Sequence, residues 1–120
     1  MATILLVEDT PANLALATKL LHAAGHEVLT SETAAAGVAL ALDRHPDLVL
    51  MDLGLPDMDG WQALRQIRAD ERAAGLRVVA FTADAMLGDR ERALAGGFDG
   101  YMSKPIDFAT FAQSVESYLP

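Results

Sequence analysis

Apolar and polar residues alternate in blocks along this chain. Short apolar runs at Thr3 to Val7, Asp47 to Met51 and Val78 to Phe81 are rich in branched side chains and bounded by polar or turn-forming residues. That is the pattern of strands buried on both faces of a parallel sheet. Glu27 to Thr30 and Gly100 to Met102 are weaker runs, and they read as strands because they fall at matching intervals. Between the runs lie patterns with helical period. In the first, Thr10 is the N-cap, Pro11 stands at N1, Leu14, Ala17, Leu21 and Ala24 share a face, and Gly25 is the stop. The second starts after Ser31 or Thr33 and repeats Ala34, Val38, Ala41 and Leu42; the third runs on from Asp59-Gly60 with Trp61, Leu64, Ile67 and Arg68. A shorter fourth spans Met86 to Ala95 and ends at Gly96-Gly97, and Asp107 caps a fifth that turns Phe108, Phe111, Val115 and Leu119 inward.

Five strands alternating with five helices imply right-handed crossovers and a parallel sheet covered on both faces. No linker or repeat interrupts the alternation, and 120 residues suit one domain, residues 1–120. The expected class is α/β, a flavodoxin-like doubly wound sheet in the order 2-1-3-4-5. Its ligand crevice then opens at the strand C-termini between strands 1 and 3.

Composition narrows the function. The chain is 52% hydrophobic, has no cysteine and carries a formal charge of −8 from 17 acidic and 9 basic residues. Without cysteine there is no disulfide framework and no thiolate metal site. The acidic surplus disfavours direct binding to nucleic acid or to anionic membrane; it suits a cation or a basic surface, or serves solubility alone, and position must decide between them. The N-terminal apolar run breaks at Glu8, far short of a signal peptide or membrane span. A soluble cytoplasmic protein is the expectation.

Chemistry concentrates at the predicted crevice. Strand 1 ends in Glu8-Asp9 and strand 3 in Met51-Asp52, so the inferred order gathers three carboxylates. Any one of them alone is most simply a strand end or a helix cap. Together they are crowded anions that need a compensating cation. Oxygen-only ligands with no nearby histidine or cysteine favour magnesium, with manganese able to substitute. Strand 4 ends in Phe81-Thr82 and strand 5 is followed by Ser103-Lys104-Pro105, which adds a hydroxyl and a basic side chain to the same edge. Asp57 and Asp59, in Pro56-Asp57-Met58-Asp59-Gly60, read as turn and helix-start residues and stay outside the site. His22, His26 and His45 fall on helix ends or loops and receive no role.

These residues resemble a known family. Leu5-Leu6-Val7-Glu8-Asp9, Asp47 to Asp52 with Pro56 and Asp59-Gly60, Phe81-Thr82-Ala83, and Lys104-Pro105 are similar to the motifs of response-regulator receivers in two-component signalling, the chemotaxis regulators among them. The resemblance covers nearly the whole chain. It implies that Asp52 is the phosphoacceptor, that Glu8 and Asp9 serve magnesium with Asp52 and the carbonyl of Gly54, and that Lys104 pairs with the phosphate. It implies further that Thr82 is the switch hydroxyl, that Ala83 offers a backbone N–H to the phosphoryl group, and that Tyr101 is the switch aromatic. Pro105 matches a proline that in this family often follows a cis bond. Thr10 stands where many members carry asparagine or aspartate, Gly54 supplies no side chain, and Asp84, with Gly54, is a candidate for tuning how long the phosphate survives.

The resemblance implies a magnesium-dependent switch, in which Asp52 takes a phosphoryl group from a phosphohistidine on a sensor histidine kinase or histidine phosphotransfer protein. The helix 4, strand 5, helix 5 face then acts on a downstream protein target. Such a chain is a signalling switch rather than an enzyme with a substrate of its own. The end at Tyr118-Leu119-Pro120 suggests a stand-alone regulator, with a fragment of a hybrid kinase as the alternative. A small phosphohydrolase is the main rival, but it would call for a second acid two residues after Asp52, where Gly54 stands. A receiver without phosphorylation is disfavoured by the intact set of residues. A flavodoxin-like cofactor module is disfavoured because Glu8-Asp9-Thr10-Pro11 would repel a phosphate rather than cradle it.

Overall fold

A computed structural model describes residues 2–73, 75–83 and 89–120. The elements follow in strict alternation: β1 (Thr3–Val7), α1 (Pro11–Ala23), β2 (Glu27–Ser31), α2 (Ala34–Arg44), β3 (Leu48–Met51), α3 (Gly60–Ala69), β4 (Val78–Thr82), α4 (Asp89–Ala95), β5 (Gly100–Ser103) and α5 (Phe111–Glu116). All pairings are parallel and the sheet order is β2-β1-β3-β4-β5, the expected order.

The two-residue period of the strands divides the core in two. Leu5, Val7, Val49, Met51, Val78 and Ala80 face one way and are buried with Ala34, Val38 and Ala41 of α2, Ala63, Leu64 and Ile67 of α3, and Ala93 of α4. Ile4, Leu6, Leu48, Leu50, Val79 and Phe81 face the other way, against Ala17 and Leu21 of α1 and Phe111 and Val115 of α5. Burial on both faces explains why the central strands read as unbroken apolar runs. Helix α2 comes close enough for its backbone to touch the sheet: a Cβ on Gly37 would lie 2.6 and 2.9 Å from the two methyl carbons of Val7.

Several boundaries depart from the sequence reading. The periodicity predicts the fourth helix from Met86, but residues 86–88 lie outside the described residues and α4 runs from Asp89. The fifth starts later than expected, because Asp107 opens a turn in which its Oδ1 accepts from the Ala109 N–H at 2.8 Å. Thr110 then holds the N-cap of α5, and Phe108 on that turn is 73% exposed rather than inward. Ala24 likewise ends up exposed, since it is the C-cap of α1 and the chain is already turning into Gly25 at φ 92°. Among the described residues, no helix is long and apolar enough to cross a membrane.

Candidate functional site

Strand register decides which side chains meet. Val7 pairs with Met51 across the β1–β3 seam, so the next residue on each strand, Glu8 and Asp52, leaves the sheet beside the other. The backbone closes that seam, with the Asp52 N–H donating to the Val7 carbonyl at 3.1 Å. Carboxylate oxygens of Glu8, Asp9 and Asp52 all lie within 4.8 Å of one another. Glu8 is fully buried and Asp52 7% exposed, while Asp9 faces solvent.

On the far side, Thr82 pairs with Ser103, and the Lys104 N–H donates to the Thr82 carbonyl at 2.9 Å. This turns the lysine side chain back over the sheet edge. Its ammonium donates to Asp52 Oδ2 at 3.0 Å and to Glu8 Oε2, and sits 5.1 Å above the ring of Phe81. The ring's negative face adds to the attraction of the two carboxylates. The Lys104–Pro105 peptide bond is cis, as the resemblance implied.

Each buried carboxylate has further donors. Asp52 Oδ1 accepts from the Gly54 N–H at 2.9 Å, and Glu8 Oε1 accepts from the Thr10 N–H at 3.2 Å and the Asn13 amide at 3.4 Å. Three carboxylates against the one ammonium leave this cluster a formal −2, which suits a doubly charged, oxygen-seeking cation.

The structure thus brings Glu8, Asp9, Asp52, Gly54 and Lys104 together. Thr82 is buried at the end of β4 and Ala83 follows it, exposed. Tyr101 is half-buried on β5 beside Ala80, in the layer of α3 and α4, and its carbonyl accepts from the Tyr118 hydroxyl at 3.3 Å. Asp84 lies outside the described residues. Sequence reasoning overlooked Asn13 and the ring of Phe81, and set Asp57 aside as a turn residue. Asn13 had a visible signal, since it falls in the first turn of a helix that starts beside Glu8. His26, given no role from the sequence, is buried at the opposite end of the sheet, accepts from the Ala2 N–H at Nδ1 and bonds Glu116 through Nε2 at 2.9 Å.

Asp59 caps α3 by accepting from the Gln62 N–H at 2.8 Å, as its position suggested. Asp57 does more than turn the chain. Its two carboxylate oxygens accept from the Ala34 and Ala35 N–H groups at 2.8 and 2.9 Å, at the start of α2. Those bonds, that to Ala35 foremost, hold its carboxyl below the usual carboxylate range.

The family model for the response regulator receiver domain matches residues 4–116. The chain belongs to this family. This receiver is 38% identical over 117 residues to the polar-differentiation response regulator DivK of Brucella ovis, a match spanning 98% of this chain and 95% of that protein. Among solved structures, the receiver domain of the sensor histidine kinase PA1611 from Pseudomonas aeruginosa superposes with a TM-score of 0.87 at 35% identity, covering 98% of this chain and 96% of that one. That structure holds a magnesium ion in its active-site cleft. The chemotaxis protein CheY4 of Vibrio cholerae shares the fold, with a TM-score of 0.90 at 23% identity over 99% of both chains.

Proposed function

We propose that this receiver takes a phosphoryl group onto Asp52 from a phosphohistidine of a sensor kinase or histidine phosphotransfer protein. The observation that carries this reading is the Asp52 carboxylate itself. It is fixed at the crevice between the Gly54 N–H and the Lys104 ammonium, with Glu8 and Asp9 beside it. In the step, an oxygen of Asp52 attacks phosphorus in line as the phosphorus–nitrogen bond breaks. The bonding pair leaves with the imidazole, which takes up a proton from solvent. Little covalent work falls to the protein, because positioning and charge neutralisation supply most of the catalysis of phosphoryl transfer.

Glu8, Asp9, Asp52 and the Gly54 carbonyl are the groups that would hold Mg2+, with Mn2+ as substitute, and the ion would neutralise charge on the phosphoryl oxygens. Lys104 pairs with the phosphate, a role supported by the bond of its ammonium to Asp52 Oδ2. Thr82 and the Ala83 N–H take the remaining phosphoryl oxygens, and Tyr101 moves with Thr82 to change the α4, β5 and α5 face. Moving such an equilibrium from 1:99 to 99:1 requires about 5.5 kcal/mol of preference for one arrangement. That face then meets a downstream protein partner in the cytoplasm, and the protein acts as a switch rather than as a turnover enzyme.

Incubation with a small acyl phosphate and Mg2+ tests this. One phosphoryl mass is expected on the intact protein, and none in Asp52→Asn or after prior chelation. An unchanged mass in the intact protein, or phosphorylation of Asp52→Asn, overturns the reading.

A further inference from the structure

The loop between β3 and α3, residues 53–59, carries Gly54 and must stay beside Asp52 for the site to work. Its ends are anchored: the Gly54 N–H binds Asp52 Oδ1, the Gly60 N–H donates to the Leu53 carbonyl at 3.1 Å, and Asp59 caps α3. In its middle, Leu55 is buried and Asp57 reaches out of the loop to the first two N–H groups of α2. Thr33 accepts from the Ala36 N–H at 3.2 Å, so the start of α2 is held by one side chain of its own and one from 22 to 23 residues downstream.

Helix α2 is itself fixed to the acidic end of β1. Gly37 packs its bare backbone against Val7, and Val7 is the residue immediately before Glu8. A continuous path therefore runs from Glu8 through Val7, Gly37 and the N-terminus of α2 to Asp57, and on to Gly54 and Asp52. It joins the two halves of the acidic cluster by a route other than the β1–β3 seam.

We propose that Asp57 is a positioning residue for the phosphoryl-transfer site, a clasp between the β3–α3 loop and α2 that sets how Gly54 and Asp52 sit against Glu8 and Asp9. The inference rests on the proposed magnesium-dependent role of Asp52. Asp57 touches neither metal nor phosphoryl group. It acts through the loop, and its geometry fits that role, because two short bonds from one carboxylate to adjacent N–H groups fix orientation as well as distance. Its charge also complements the positive end of the α2 dipole. The acid left outside the site on sequence grounds is thus tied to it mechanically.

The test is Mg2+ affinity by isothermal titration calorimetry on the intact chain, at a temperature where circular dichroism shows each variant folded, with the rate of phosphorylation by an acyl phosphate measured alongside. Asp57→Ala is expected to bind Mg2+ about 10-fold more weakly, the size of effect seen when a group supporting metal ligands is removed. Asp57→Asn, which keeps one acceptor oxygen, is expected to fall in between. A clasp with a structural role alone would lower melting temperature and leave the Mg2+ dissociation constant unchanged in both variants, and that result overturns the proposal. Should Asp57→Ala fail to fold, the affinity of Asp57→Asn decides. Wild-type protein that neither binds Mg2+ nor accepts phosphate would sink the phosphoacceptor reading, whereas wild-type success with unaltered variants would sink the clasp alone.

Discussion

Lys104 is held between two carboxylates where water barely reaches, with its side chain 8% exposed, that of Glu8 fully buried and that of Asp52 9% exposed. Attraction in such a setting is strong, but so is the cost of desolvating each charge, and the balance shows only when one partner is removed. Replacing Lys104 with Met leaves two buried anions facing each other, and the expected loss of stability in the presence of a chelator is roughly 3 kcal/mol. A dication would occupy the same charge deficit, so the loss measured by urea titration should shrink when Mg2+ is added. An unchanged urea midpoint in Lys104→Met, without metal, would show that the ammonium does not stabilise the pair. Lys104, Glu8, Asp9 and Asp52 were legible in the sequence because each stands at a strand end, where topology alone fixes the neighbourhood. Asp57 was not, since its partners Ala34 and Ala35 lie far back in the chain and a turn residue gives no sign of what it reaches.

Helix α2 shows how element packing and local propensity can oppose one another. Alanine is favoured over glycine inside a helix by about 1 kcal/mol, so Gly37→Ala should stabilise α2 taken alone. In the molecule the added methyl would meet Val7 at 2.6 Å, and Val7 is fully buried in a strand paired on both sides. Overpacking of that kind costs about 1–3 kcal/mol, so the substitution should destabilise the protein, and pairing it with Val7→Ala should recover part of the loss in a double-mutant cycle. The same helix carries a pH signature through its cap. Asp57 is held below the usual carboxylate range by the N–H groups of Ala35 and Ala34, and Asp70 by the neighbouring Arg72 side chain. Both groups bind fewer protons folded than unfolded, so their contribution is present above the ordinary carboxylate pKa of about 3.9 and is lost as pH falls below it. Unfolding midpoints measured from pH 5 down to about 2.5 should therefore drop less steeply in Asp57→Asn than in wild type. Parallel slopes would mean that the cap does not hold in solution.

At the scale of the whole molecule, the fold was readable because short unbroken apolar runs, the mark of strands buried on both faces, leave little choice of architecture once helices separate them. What escaped were places where the chain makes contacts its own neighbourhood does not announce: the turn that exposes Phe108 ahead of α5, and the buried His26 joined to Glu116 across the foot of the sheet. The acidic cluster ties a local site to global stability, because a ligand bound only by the folded state stabilises the entire chain. At a hundred times its dissociation constant, Mg2+ should add about 2.7 kcal/mol, a rise of roughly 10 °C in melting temperature for a domain of this size. The formal charge of −8 provides the control, since any salt screens the chain's self-repulsion and raises stability somewhat without entering the site. Sodium chloride at matched ionic strength should therefore give a much smaller rise, and Asp52→Asn, with one carboxylate charge removed from the cluster, should respond to the two salts more nearly alike. Equal melting shifts from Mg2+ and sodium in the wild-type protein would place the ion in the diffuse atmosphere around the chain rather than among Glu8, Asp9 and Asp52.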